Sequence, residues 1–138
     1  MKHTLPLLCC LLLGLLLGLL LTGCAPRPLP EGMEEEAVLS AGHEMVELLV
    51  SGSYEEAAAL FRSDISVSAD ALQDLMESAT EDIGVYLGRR DSMATGRTVD
   101  GAEYGEAVVL CRYRKDDVLF RLCFDTDMVL VGLEITRQ

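Results

Sequence analysis

The sequence predicts an α+β domain in which helices come first and an antiparallel sheet of three or four strands follows. Three observations carry that reading. Beyond residue 32, apolar residues recur at three- and four-residue intervals, the mark of amphipathic helices. From Ala107 to Thr136 the period changes to short β-branched and aromatic runs separated by acidic turns. The 138 residues leave room for one core, and an apolar N-terminal segment takes part of that length. Helices followed by a meander is the order of an α+β fold, with the helices on one face of the sheet.

The chain opens with Met1-Lys2-His3, a short positive region, and then Leu5 to Leu21, apolar except for Pro6, Gly14 and Gly18. This run is long for a secretory core of about 7 to 15 residues and short for a spanning helix of about 20. The residues that follow decide. Leu21-Thr22-Gly23-Cys24 resembles the lipobox of bacterial lipoproteins, an apolar residue and two small ones before the cysteine whose sulfur takes a diacylglycerol. Gly23 leaves the scissile bond open and Cys24 brings a nucleophilic sulfur to the membrane surface. The resemblance implies cleavage before Cys24 and an anchor of two acyl chains, palmitate among them. At about 0.8 kcal/mol per buried methylene such an anchor is stable. Residues 1–23 are thus expected to be a signal peptide, with Cys24 the lipidation site and membrane lipid its partner. The chain is expected at the cell membrane, facing outside the cytoplasm. Cys9 and Cys10 fall in the discarded segment.

Residues 24–32 read as the lipidated cysteine and a tether. The prolines of Ala25-Pro26-Arg27-Pro28-Leu29-Pro30-Glu31-Gly32 favour extended polyproline II, a stalk of about 25 Å. Residues 33–138 form the single domain. Its first helix is expected over Met33 to Val50, with Val38, Ala41, Met45, Leu48 and Leu49 inward and Glu34, Glu35 and Glu36 at the positive end of the helix dipole. Gly52 breaks it, and a short helix restarts at Tyr54. Ser68 caps a third helix whose stripe is Leu72, Leu75, Met76 and Ala79, ending near Gly84. Strands follow over Ala107 to Arg114, Val118 to Asp125 and Val129 to Thr136, and Thr95 to Val99 adds an earlier edge strand.

Register bears on Cys111 and Cys123. With Asp116-Asp117 as a two-residue turn, Lys115 opposes Val118, and Val109, Cys111 and Tyr113 share a face with Phe120, Leu122 and Phe124. Cys123 then points the other way, beside Arg121. Pairing the cysteines would need a one-residue slip that puts Arg112 and Arg114 on the apolar face. That costs several kcal/mol, against about 2 to 3 returned by a disulfide across so short a loop. Two free thiols are expected.

Composition excludes several chemistries. Lys2 is the only formal charge before Cys24, so of 11 Lys+Arg the mature chain keeps 10, against 23 Asp+Glu, a net charge of −13. Such a chain repels phosphate, so neither nucleic acid nor an anionic lipid surface is an expected partner. His43 is the only histidine after the leader and reads as a solvated or half-buried helix residue; without a second histidine or a Cys-x-x-Cys pair, no zinc site is expected. No G-x-S-x-G elbow is present, and a lone histidine leaves few routes to a Ser-His-Asp triad. Asp116-Asp117 and Asp125-Thr126-Asp127 lack the loop length and glycine of a calcium site and read as turn residues. No cofactor is expected.

The order Leu48-Leu49-Val50-Ser51-Gly52-Ser53-Tyr54-Glu55-Glu56-Ala57, then Leu72 to Gly84, Tyr113-Arg114-Lys115-Asp116-Asp117, Phe124-Asp125-Thr126-Asp127 and Gly132-Leu133 resembles a bacterial domain family of unknown function. Its members are small secreted or lipid-anchored proteins, and some copies precede a hydrolase domain. The resemblance implies a cystatin-like cone similar to the nuclear-transport-factor-two and ketosteroid-isomerase-like superfamily, with helices packed into a curved sheet. Met128 stands where that family usually has a turn glycine, which leaves the face of the final strand open by one residue.

The expected function is a non-enzymatic accessory domain that binds a small apolar ligand or a protein partner. Its rival is a small isomerase- or dehydratase-like enzyme using the cone, for which Tyr86, Tyr104 or Tyr113 would supply the hydroxyl. A third reading gives docking to an exposed sheet face carrying Leu110, Leu119 and Leu130.

Overall fold

A computed structural model describes residues 26–138; the leader and Cys24 lie outside the described residues. The elements run α1 (Glu35–Val50), α2 (Tyr54–Ala59), α3 (Ala69–Thr80), then β1 (Tyr86–Val99), β2 (Ala102–Tyr113), β3 (Asp117–Phe124) and β4 (Leu130–Arg137). The strands form one antiparallel sheet in the order β1-β2-β3-β4. This is the α+β order that the change of period predicts. Among the described residues no helix is long and apolar enough to cross a membrane.

α1 buries Val38, Gly42, Met45, Val46 and Leu49, one stripe at helical spacing, and lays it across the middle of the sheet. The inner sheet face meets it with Ala107, Val109, Cys111 and Tyr113 from β2 and Val118, Phe120, Leu122 and Phe124 from β3. Contact is close at Gly42, where a Cβ would stand 2.5 Å from that of Ala107. Burial of each large side chain here stabilises the fold by about 1.5–3 kcal/mol. α3 starts where expected, Ser68 Oγ accepting the Ala71 amide at 3.1 Å. It buries Leu72 and Met76 but leaves Leu75 38% exposed, and it stops at Thr80, four residues before Gly84. Asp82 with φ +60 turns the chain out of the helix, and Ile83 seats in the core.

The central hairpin keeps the expected faces with a different turn. Arg112 pairs with Asp117 and Cys111 with Val118, so residues 114–116 form the loop in place of a two-residue turn at Asp116-Asp117. Sliding the pairing by an even number of residues leaves each side chain on its face. Cys111 is therefore in the core, Cys123 is on the outer face opposite Glu106, and both thiols are free.

Three further expectations are corrected. The edge strand expected over Thr95 to Val99 is the long strand Tyr86–Val99, joined to β2 by Asp100-Gly101 with φ +51 and +81, the positive pair of a tight hairpin turn. The tether is not a free stalk along its whole length. The Arg27 carbonyl accepts the Gly96 amide at 2.9 Å and the Arg27 amide donates to Thr95 Oγ1 at 2.9 Å, so the proline arm lies on the free edge of β1. A side chain at Gly96 would collide with the Pro28 carbonyl. Leu130 is not on the exposed face. Cys123 pairs with Gly132 and Phe124 with Leu130, so a bulge at Val131 shifts the facing by one residue and buries Leu130 in the core. Met128 takes φ +64 just before that bulge.

Candidate functional site

The helices cover only the inner face of the sheet. Alternation places Met93, Thr95 and Arg97 of β1, Tyr104, Glu106, Val108, Leu110 and Arg112 of β2, and Asp117, Leu119, Arg121 and Cys123 of β3 on the outer face. The rows across this face differ in character. Thr95, Glu106 and Cys123 stand side by side, then Met93, Val108, Arg121 and Glu134, then Asp91, Leu110, Leu119 and Thr136. An apolar strip of Met93, Val108, Leu110 and Leu119 thus runs between two charged regions and lines a shallow hollow of about 180 Å³.

Glu106 anchors the first charged region. Its Oε2 accepts from Arg97 Nη1 at 3.1 Å and its Oε1 from Arg121 Nη1 at 3.1 Å. Although it lies on the uncovered face, the Glu106 side chain is only 5% exposed, while the arginines are 53% and 42% exposed. The strand pattern explains the geometry: Arg97 reaches from the edge strand, and Arg121 lies diagonally across from Glu106 on β3. Arg27 from the docked arm and Glu134 from β4 close an open depression of about 350 Å³ around this triad. The second charged region, at the β2–β3 loop, holds Arg90 against Asp117 at 2.7 Å.

On the inner side, His43 Nε2 and Ser92 Oγ share a hydrogen bond of 2.8 Å between α1 and β1. Burial first, and the nearby Arg89 cation second, push the His43 pKa down, with Glu47 opposing. The imidazole is therefore neutral at pH 7 and serves as a tie between helix and sheet. No carboxylate among the described residues bonds the other ring nitrogen, so the pair lacks the orienting third member of a nucleophilic triad. Cys111 and Tyr86 lie on this side too; burial raises the thiol to about 11 and the Tyr86 phenol to about 12.

The three tyrosines named above are split between the two faces of the sheet. Tyr86 and Tyr113 meet edge to face at 5.5 Å, burial lifting Tyr113 to about 12. Both lie on the inner side, whereas Glu106, the buried acid of the described residues, is on the outer face with Tyr104. Asp116 and Asp125 act as turn residues: Asp116 Oδ1 accepts the Asp117 amide, and Asp125 Oδ1 accepts those of Asp127 and Val129. Among the described residues no three His, Cys, Asp or Glu side chains gather as a metal site. The Glu106 triad escaped the sequence reading because Arg97, Glu106 and Arg121 are separated by 9 and 15 residues and meet only through strand pairing.

No curated protein matches the chain. The NMR structure of a protein from Ruminococcus gnavus ATCC 29149 is similar, with a TM-score of 0.66 and 25% identity over 79% of this chain and 96% of that one. The family described as "Protein of unknown function (DUF3887)" matches residues 43–133, from the middle of α1 into β4, and the chain belongs to that family.

Proposed function

We propose that the chain is a lipid-anchored, extracytoplasmic accessory domain that binds a protein partner on the outer face of its sheet and carries out no catalysis itself. The observation that carries this reading is the open face itself, an apolar strip of Met93, Val108, Leu110 and Leu119 bordered by arginines. Apolar centres ringed by polar groups are the usual anatomy of a recognition surface. A hollow of about 180 Å³ is small beside the roughly 300–1,000 Å³ of ligand pockets, which favours a protein over a small apolar ligand. The anchoring half of the reading is supported by Leu21-Thr22-Gly23-Cys24. The docked arm adds to it: Arg27 already touches β1, so an anchor three residues earlier would hold the domain within about 10 Å of the bilayer.

The isomerase-like alternative would require a tyrosine and a carboxylate facing one chamber. Tyr86 and Tyr113 are spent on each other, and Tyr104, which shares the outer face with Glu106, stands on an open sheet surface where that carboxylate is already held by two arginines. The expected resemblance to the nuclear-transport-factor-two-like cone, a matter of fold, therefore lends no support to catalysis.

Two measurements test the proposal. Cys24→Ser is expected to abolish incorporation of an alkyne-palmitate label and to release the protein from membranes; retained labelling would overturn the anchor. Proximity labelling in the protein's own cell is expected to mark a discrete neighbour that disappears in Leu110→Glu/Leu119→Glu while the thermal midpoint holds. An unchanged labelling profile would overturn the binding face.

A further inference from the structure

The net charge of this chain conceals a strongly cationic spot. Arg90, Arg112, Arg114 and Lys115 line one open depression of about 480 Å³ where β2 turns into β3, facing only Asp116 and Asp117. Arg90 is held by Asp117 at 2.7 Å, and Asp116 accepts the Asp117 amide. Arg112, Arg114 and Lys115 are exposed, and among the described residues none of them makes an ion pair.

The backbone that carries them is fixed. The Arg114 amide donates to the Val85 carbonyl at 3.0 Å and the Lys115 amide to that of Ile83 at 2.8 Å, so the loop before β1 clasps the hairpin. Gly84 makes the clasp possible, with φ +84 and a Cβ position only 2.8 Å from that of Arg114. Cations held on an ordered hairpin lose less entropy on binding than cations on a mobile loop.

We propose that this depression binds the phosphoryl group of a soluble phosphate ester. Guanidinium groups offer paired donors matched to phosphate oxygens, and an ammonium adds a point charge. Four cations against two carboxylates leave an excess of two positive charges, or of one where Gln138 ends the chain with its α-carboxylate. That range matches the roughly one to two negative charges of a phosphate ester. The acidic remainder of the molecule repels an extended polyanion, which confines the interaction to this spot.

Position distinguishes the source of the phosphate. The arm meets β1 at Gly96, opposite Gly105, and Arg112 stands seven residues further along β2, about 23 Å away. With the anchor at residue 24, as proposed above, the depression points away from the anchoring bilayer.

The test uses the full isotopically labelled chain in nanodiscs, with inorganic phosphate as probe and arginine side-chain resonances as readout. In phosphatidylcholine discs, saturable shifts are expected at Arg90, Arg112 and Arg114. Arg112→Gln/Arg114→Gln is expected to weaken binding at least tenfold with an unchanged thermal midpoint, whereas Arg62→Gln leaves it alone. Shifts that never saturate, or that survive the double substitution, overturn the site. In phosphatidylglycerol discs the Arg112 and Arg114 resonances are expected to stay where they are before probe is added. Lipid-induced shifts at those residues overturn the assigned source, and the Cys24→Ser experiment separately reads the anchor.

Discussion

Gly42→Ala probes the contact that presses α1 onto the sheet. Its new Cβ would sit 2.5 Å from the Ala107 Cβ, where carbon atoms prefer about 3.5–4.0 Å. Neither atom can rotate away, because a Cβ moves only with its backbone. The helix or β2 must shift by roughly 1 Å, disturbing the neighbouring contacts of Val38, Met45 and Val46 with the inner face. Overpacking of this kind costs about 1–3 kcal/mol, while replacing glycine by alanine inside a helix returns about 1 kcal/mol. A net loss of about 0–2 kcal/mol follows, and the midpoint should fall by about 4–8 °C for each kcal/mol in a domain of this size. Thermal and urea denaturation followed by circular dichroism measures it. Adding Ala107→Gly removes the opposing atom, so the double variant should be at least about 1 kcal/mol more stable than the sum of the single losses predicts. A raised midpoint for Gly42→Ala, or strict additivity, would refute the close approach.

Further outcomes follow from the same geometry. With Cys24 blocked, a disulfide-exchange reagent should modify half-buried Cys123 first and reach Cys111 only as the fold opens; equal rates, or no free thiol, would contradict the placement of the two cysteines on opposite faces. Cys111 is raised from 9.0 to about 11, and Tyr86 and Tyr113 from 10.0 to about 12, so the folded state keeps protons that the unfolded chain releases. Stability should therefore be flat with respect to these groups below pH 9 and fall between pH 9 and 12, by on the order of 1 kcal/mol per pH unit. A flat urea midpoint across that window would count against their burial. Gly101→Ala should cost about 1 kcal/mol by forcing alanine to φ +81 with no clash to add, whereas Gly101→Asn should cost less; equal losses in urea denaturation would argue against a left-handed turn.

What could be read in advance depended on whether a feature was local. The stripe of α1, the Ser68 cap and the two faces of the β2–β3 hairpin are set by spacing and parity, and parity survived even though the turn was longer than two residues. β1 was mostly hidden because Gly88, Arg89, Arg90 and Asp91 give it no apolar alternation. It is an edge strand with two one-residue slips against β2, between Tyr86 and Gly88 and between Arg89 and Asp91. Asp100-Gly101 was the signal that would have found its end. Leu130 changed faces because of the bulge at Val131, a tertiary adjustment that alternation within β4 cannot reveal. The docked arm depends on Gly96 and Thr95, about 68 residues away from it in the chain, and the charged groupings on the outer face come from strand pairing. Net charge, an average over the whole chain, gave no hint of the cationic hollow.

The most direct test of the account is position-specific photocrosslinking in the protein's own cell. A photoreactive residue at Leu119, on the open sheet face, is predicted to give one discrete protein adduct, and the same residue at Leu75, exposed on α3, to give none. An adduct from Leu75 alone, or none from Leu119 with the protein folded and at the membrane, would contradict the claim that this domain works through the outer face of its sheet.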